Sequence, residues 1–316
     1  VSWRGYAYIA PNFLGFLVFT ALPVLAVGVM AFFQGSFTTR VDPVQGTVTV
    51  DARPCGFDNF THLVKELDPK ASPERPEGGE LYRALKNTLV LLLAVPIQMA
   101  AALALAMLLN RKIRGRVVYR TLLFLPTIAS GIALFLVWRW LYNKDFGLLN
   151  AILAPLYHLL DTPPPDWLGS KTLAKPALII MGVWMAMGGT TMVLFLAGLQ
   201  GIDPTLYEAA EIDGAGAWAK FRHVTWPELR PTTFFILTTN LIGGFQIFDQ
   251  VYIMCPNGGP EYTTTTILYY IYENMYVFEG KLGYASAVAI FLFLLIFLVT
   301  LANYAFSAGG ARAVRS

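Results

Sequence analysis

"NTLVLLLAVPIQMAAALALAMLLN", residues 87–110, contains no charged side chain from end to end. A helix needs about 20 mostly apolar residues to cross the hydrocarbon core of a bilayer, and this run has that length. Its one proline, Pro96, predicts a kink, tolerable where neighbouring helices re-satisfy the backbone. The rest of the chain agrees with a membrane solvent. Of its 316 residues 56% are hydrophobic and 14% charged, with a mean hydropathy of +0.54. Soluble domains carry roughly 25% charged residues. A net charge of +3 is too small to point to nucleic acid.

Reading outward from that run gives six spans, near 6–34, 87–109, 121–142, 176–199, 232–254 and 284–306. No Met stands at position 1, so the chain is expected to begin inside a longer protein. Its first apolar run is too long for a cleavable signal peptide. The fold class expected is an all-α polytopic membrane protein.

Orientation follows from lysine and arginine. Arg4, Arg111, Lys112, Arg114, Arg116, Arg120, Lys220, Arg222, Arg230, Arg312 and Arg315 fall on one side, against Asp203, Glu208, Glu211, Asp213 and Glu228. The opposite loops, 35–86, 143–175 and 255–283, hold more acidic than basic residues. The basic side is therefore expected to be the cytoplasm, with both termini inside a bacterial or archaeal cytoplasmic (inner) membrane. The organisation expected is a cytoplasmic tail and first span over 1–34 and an outer segment over 35–86. A five-span core over 87–306 follows, with a cytoplasmic loop at 200–231, and then a tail over 307–316.

The outer segment contains "GTVTVDA", whose alternation suggests a short strand, and then the flexible, proline-rich "DPKASPERPEGGE". A small subdomain and a mobile loop both fit. "DTPPPDW" in the 143–175 loop is a stiff connector. There is no internal repeat of the kind secondary transporters carry.

The cytoplasmic loop contains "EAAEIDGAGAWAKFRHVTWPELRP", residues 208–231. Asp203 is a good N-cap, Pro204 suits the first helical position, and Gly214 is placed to end the helix. That predicts a helix of about ten residues, roughly 15 Å long. Ala209 and Ala210 leave part of its surface nearly flat. A second short helical piece begins at "AWAKFRHV", and Pro227 and Pro231 are expected to break the path before the next span. A helix lying at the headgroups is usually rich in Lys and Arg. This one carries Glu208, Glu211 and Asp213, which an anionic inner leaflet repels. A protein partner fits better.

The pattern Glu208-Ala209-Ala210, then Asp213-Gly214-Ala215, Phe221, Pro227 and Pro231 resembles the EAA loop of ATP-binding cassette (ABC) importer permeases. "FDNF" (57–60), "NTL" (87–89), "FLP" (124–126), "FDQVYIM" (248–254), "NGGP" (257–260) and "LGYASA" (282–287) are similar to the carbohydrate-uptake branch, of maltose and glycerol-phosphate type. One departure is Cys255-Pro256, where the family has a single residue; this shifts the outer end of the fifth span by one position. The resemblance covers nearly the whole chain. It implies the type I importer permease fold and a loop that docks into a cytoplasmic ATPase through Glu208, Ala209, Ala210, Asp213, Gly214 and Ala215. It implies a sugar or oligosaccharide importer working by alternating access. The partners implied are a second homologous permease in a heterodimer, two ATPase subunits and an extracellular or periplasmic solute-binding protein. ATP and Mg would be used by those ATPases, with no cofactor bound by this chain.

The solute path is expected along the fourth and fifth spans. Asn240, Gly243, Gly244 and Ile247 share a helical face, with Gln246 at its flank. The glycines open space for a ligand or pack helices closely. Asp249 is the one acidic residue placed inside a span, towards its outer end: a functional candidate by default, or a partner for Arg139, or part of the outer gate. Trp184, Gly188 and Thr191 share a face of the fourth span. A Trp ring suits the C–H face of a sugar, and amides suit its hydroxyls.

Other chemistry is excluded. The only Gly-Lys pair, Gly280-Lys281, lacks the P-loop spacing. His62, His158 and His223 are scattered, and no HExxH or CxxC pairing occurs, so neither a metal site nor a catalytic residue is expected. The aromatic "ILYYIYENMY" reads as an interfacial belt. Cys55 and Cys255 both fall on the outer side but read as separate thiols. The alternatives to a sugar importer are an importer of another polar solute, such as glycerol phosphate, and an ion-coupled secondary transporter. The spans lack the recurrent acids that a proton relay needs.

Overall fold

The computed structural model describes residues 3–41, 48–70, 79–111, 114–278 and 280–313. Most of the proline-rich outer stretch lies outside these residues. The chain divides into two compact units, Val1–Ala84 with Ile267–Leu295, and Leu85–Thr266 with Ile296–Ser316.

The first unit opens with α1 (Trp3–Phe16), a π-helical turn over Leu17–Ala21 and α2 (Leu22–Met30). The Tyr8–Met30 portion is long and apolar enough to cross a membrane, and no residue of it is buried in this chain. A two-stranded antiparallel hairpin follows, β1 (Phe33–Val41) and β2 (Val48–Pro54), pairing Phe33 with Pro54 and Val41 with Val48. The strand expected from "GTVTVDA" is β2. Next comes α3 (Asp58–Glu66). Its residues give "FDNF" a physical role. Phe57 and Phe60 pack on Phe32, with ring centroids 5.4–6.0 Å apart. Buried Asn59 donates through Nδ2 to the carbonyls of Ala31 at 2.8 Å and Phe33 at 2.9 Å. The end of the first helix, the hairpin and α3 are thus tied together. Later in the chain this unit holds α16 (Ile267–Tyr272), where Tyr270 Oη lies 3.2 Å from Tyr284 Oη.

The second unit is helical. α4 (Glu80–Leu92) and α5 (Ala94–Asn110) form one apolar rod of 31 residues. Its hydrogen-bond ladder is interrupted at Leu93, within a turn of Pro96, whose ring crowds the preceding turn and whose nitrogen has no hydrogen to donate. Along α5 the buried residues Val95, Met99, Ala102, Leu103, Ala106 and Leu109 form a stripe at helical spacing. The stripe packs against Met192, Phe195, Leu196 and Leu199 of α10 (Thr190–Gln200) and against Ile236 of α14 (Arg230–Phe245). Ala102 and Ala106 are fully buried, and small residues there let the helices approach closely.

Three expected spans are not straight rods. Residues 121–142 divide into α6 (Arg116–Phe124), a 3-10 turn over Leu125–Ile128 and α7 (Gly131–Leu141), with a bend of 96°. Pro126 sits in the turn, and the backbone is extended at Ala129. Residues 232–254 divide into α14 and α15 (Asp249–Met254). The freed carbonyl of Ile247 accepts from Thr266 Oγ1 at 2.6 Å, which is why the interruption is tolerated. The fourth span is α9 (Ala174–Met187) plus α10, bent by 42° at Gly188-Gly189. Among the described residues, three helices qualify as spans by length and composition, and up to five do when each bent pair counts as one. The expected fifth span does not qualify, because its longest uninterrupted helix has 16 residues.

The chain also holds α8 (Leu148–Leu159) in the 143–175 loop, the short helices of the 200–231 loop, and α17 (Leu282–Ala313). Cys55 and Cys255 are free thiols. "NTL" is tied to the segment that follows "NGGP". Asn257 and Glu261 take positive φ, and buried Asn87 donates through Nδ2 to the carbonyls of Tyr262 and Thr265, both at 3.0 Å.

Candidate functional site

A cavity of about 370 Å³ opens in the second unit between α4–α5, α9 and α14, at the level where α14 ends and α9 turns into α10. That volume suits a small ligand. Its polar lining is Gln98, Thr127, Thr190, Thr239, Asn240 and Gln250; the remainder is apolar or glycine, and among the described residues no lining side chain is charged. Several of these polar groups are already engaged. Gln250 Nε2 donates to the Leu178 carbonyl at 2.9 Å, and Thr239 Oγ1 donates to Phe235 and Ile236 carbonyls, both at 3.0 Å. Asn240 Nδ2 reaches Thr191 Oγ1 only at 3.5 Å. The amide of Gln98 has no hydrogen-bond partner among the described residues, so it is open to a ligand.

Of the face expected on the fifth span, Asn240, Gly243 and Gly244 lie on α14, whereas Ile247 falls past its end at Phe245 and shares no helical face with them. Asn240, Gly243, Gly244 and Ile247 all line the cavity. The two glycines differ in role. A Cβ on Gly243 would meet nothing within 4 Å, whereas one on Gly244 would stand 2.5 Å from Leu92 Cδ2. Gly243 opens space, and Gly244 is a packing position as well as part of the wall. Gln246, past the end of α14, is exposed and lies outside the cavity.

The fourth-span face is distributed differently. Thr191 is buried beneath Asn240, one layer behind the wall. A Cβ on Gly188 would stand 2.4 Å from the Leu123 carbonyl oxygen, so this glycine serves the bend. Trp184 lies outside the cavity and meets Trp138 edge to face at 5.4 Å. Exposed Asp249 forms no ion pair with Arg139, which instead donates to the Ile253 carbonyl at 3.2 Å. Gln98 was missed on reading the sequence. Its signal was available, because it is the one polar side chain between Thr88 and Asn110.

The 200–231 loop forms a capped helix on a rigid mount. Asp203 Oδ1 accepts from the Thr205 backbone N–H at 2.9 Å, and this bond holds its carboxyl below the usual range. α11 (Pro204–Ile212) follows. It ends where Gly214, at φ +77°, donates to Glu211 at 3.0 Å and Ala215 donates to Ala210 at 2.8 Å. This double bond pattern is a Schellman ending, which glycine enters without strain. Glu208, Ala209, Asp213 and Gly214 are exposed; Ala210 and Ala215 are partly covered.

Beyond the turn come α12 (Ala217–Lys220), a π-helical turn over Phe221–Thr225 and α13 (Trp226–Glu228), leading directly into α14. Pro227 and Pro231 do not break this path, in contrast to the sequence expectation. Pro231 sits in the first turn of α14, where a missing N–H costs nothing, and Pro227 follows the π-helical turn directly, with helical backbone at Thr225. Tyr207 Oη and Thr225 Oγ1 meet at 2.9 Å, and Lys220 Nζ pairs with Glu211 at 2.6 Å across the turn. Tyr207, Phe221 and Val224 pack on the core that contains fully buried Leu229. Around α11, Leu206, Ile212, Trp218 and Trp226 are exposed. The result is a stiff protrusion with acidic, small and apolar groups on its surface.

Residues 77–309 match the family model described as binding-protein-dependent transport system inner membrane component. Among curated proteins, the arabinooligosaccharides transport system permease protein AraP of Bacillus subtilis (strain 168) is 31% identical over 94% of this chain and 86% of its own length. The lactose transport system permease protein LacF of Rhizobium radiobacter is 34% identical over 71% of this chain and 74% of its own. Among solved structures, a chain of a bacterial ABC transporter involved in the import of the acidic polysaccharide alginate superposes with a TM-score of 0.75. It is 23% identical, with 97% of this chain and 95% of that chain covered.

Proposed function

We propose, since this chain belongs to the family of binding-protein-dependent transport system inner membrane components, that it is the permease of an ATP-driven sugar or oligosaccharide importer. It is a non-catalytic transport subunit. Its partners in this reading are a second, homologous permease, two cytoplasmic ATPase subunits that use ATP and Mg, and a solute-binding protein on the outer side. The wall of Asn240, Gly243, Gly244 and Ile247, with Gln98, passes the solute, and Thr191 supports Asn240 from behind. Glu208, Ala209, Asp213 and Gly214 meet the ATPase, and both termini are cytoplasmic.

The observation that carries the substrate class is the cavity's uncharged polar lining. Amides and hydroxyls exchange hydrogen bonds with sugar hydroxyls, while Leu91, Phe135 and Ile179 offer apolar surface to C–H faces. A phosphate ester would call for Arg or Lys, which strengthen bonds to its oxygens, and the lining has neither. Glycerol phosphate is therefore the weaker reading. A proton-coupled carrier is weaker still, because no carboxylate lines the cavity.

The test is uptake by the reconstituted complex. Gln98→Ala and Asn240→Ala are expected to lower sugar uptake roughly tenfold, as for one or two lost hydrogen bonds to a polar ligand. Assembly and basal ATP hydrolysis should be unchanged. Wild-type uptake by both variants at every sugar concentration would move the solute path elsewhere.

A further inference from the structure

One helix is left unused by the transport reading. α8 (Leu148–Leu159, 12 residues) is about 18 Å long, too short to cross a core of about 30 Å. Leu148, Ile152, Pro155, Leu156 and Leu159 fall on one stripe about 100° wide, given about 100° per residue. All five are exposed and none is charged. The opposite face holds Asn150 and Tyr157. Asn150 is buried, its Nδ2 donating to the Lys144 and Pro165 carbonyls, both at 3.1 Å, while Oδ1 accepts from Trp167 Nε1 at 2.8 Å. The amide thus clamps α8 to the loop on either side, including "PPPDW". The apolar stripe is held outward by construction.

We propose that α8 is an in-plane helix whose Leu148–Leu159 stripe is seated in the headgroup–acyl boundary of the leaflet on the 143–175 side, with phospholipid as its occupant. Three observations select lipid. Only Tyr142–Gly147 separates α8 from the end of α7, so the chain leaves an apolar bent pair directly into this helix. The charges of the neighbourhood, Lys144, Asp145 and Asp161, flank the two ends of the stripe, and none interrupts it. Aromatic residues of the kind that sit at headgroup depth occur at both ends of this segment, with Trp140 exposed near the end of α7 and Trp167 on the clamp behind α8. A helix with one apolar face and a polar face otherwise engaged gains by burying that face to headgroup depth. Seated in this way, α8 would fix the level of the loop joining α7 to α9.

Nitroxide labels at Ile152→Cys and Asp161→Cys, in the complete transporter reconstituted in phospholipid vesicles, test the placement. At 152, collisions with oxygen should exceed those with a water-soluble nickel chelate, giving a positive depth parameter; at 161 the sign should be negative. A negative value at 152 would put the stripe in water. Low collision rates with both quenchers at 152 would mean that a protein partner covers it. Either result overturns the proposal. The unmodified complex provides an independent arm. Photolysis with a diazirine-bearing phospholipid, followed by trypsin, should label peptide 145–171 within Leu148–Leu159. Labelling confined to the spanning helices would also overturn it.

Discussion

Gly243 and Gly244 are neighbours in α14 with opposite needs. Gly243 faces open cavity space, so a side chain there takes volume from the solute and nothing else. Gly243→Ala should leave the complex as stable or raise its stability by up to about 1 kcal/mol, since glycine is the poorer helix former. Gly243→Leu should nearly abolish uptake while the purified complex keeps its thermal midpoint. Gly244→Ala should cost stability, because its methyl group meets Leu92 Cδ2 at 2.5 Å and that side chain must turn aside. Uptake and thermal denaturation of the three variants separate the two roles. An equal fall in midpoint for Gly243→Leu and Gly244→Ala would show that both are packing positions.

Asp203 is a second residue whose role is local. Its carboxyl is held below the usual range first by the bond from the Thr205 N–H. A depressed value means that the cap is fully present above the ordinary carboxylate pKa and is lost as pH falls through the lower folded value. Asp203→Asn keeps an acceptor and should couple normally; Asp203→Ala loses it and should fray α11. Solute-stimulated ATP hydrolysis measures this, and a wild-type response from Asp203→Ala would separate the cap from coupling.

Helices carried their signals unevenly. Existence was legible wherever apolar residues run on, as in 87–110, and so was α11, whose cap, proline and glycine are all local. Interruptions were less legible because their compensation is remote in sequence. Nothing in "TTNLIGGFQIFDQVY" announces that α14 stops at Phe245, since the group that satisfies the freed Ile247 carbonyl is Thr266. Likewise the two prolines of the 200–231 loop read as breakers, yet both stand within helical segments. The cavity was legible on α14, where glycines and an amide share a face, and not on α5, where Gln98 stands alone in an apolar run. Thr266→Val should therefore destabilise the complex by about 1 kcal/mol, the cost of a part-buried carbonyl left without this donor. Thr266→Ser should retain the bond. Thermal midpoints of the two variants compare them directly, and equal midpoints would assign the Ile247 carbonyl another donor.

At the scale of the whole molecule, the proposed mechanism requires the 200–231 loop and the 143–175 loop to lie on opposite sides of the membrane. Charge supports that arrangement: Arg111, Arg114, Arg116, Arg120, Lys220, Arg222 and Arg230 gather near one set of helix ends, and translocating them is unfavourable. The loop's rigidity makes the orientation matter. Tyr207–Thr225 and Glu211–Lys220 join α11 to the helix that leads into α14, and in the proposed mechanism these contacts pass a push on its surface towards α14. That push has to come from the compartment containing ATP. Single cysteines at Thr162 and Ser307, in a chain whose Cys55 and Cys255 are replaced by Ala, should respond oppositely to a membrane-impermeant maleimide added to intact cells. Thr162→Cys should react in intact cells, and Ser307→Cys only after the membrane is opened. Reaction at 307 with protection at 162 would invert the topology and put α11 out of reach of a cytoplasmic ATPase, which would end the coupling assignment along with it.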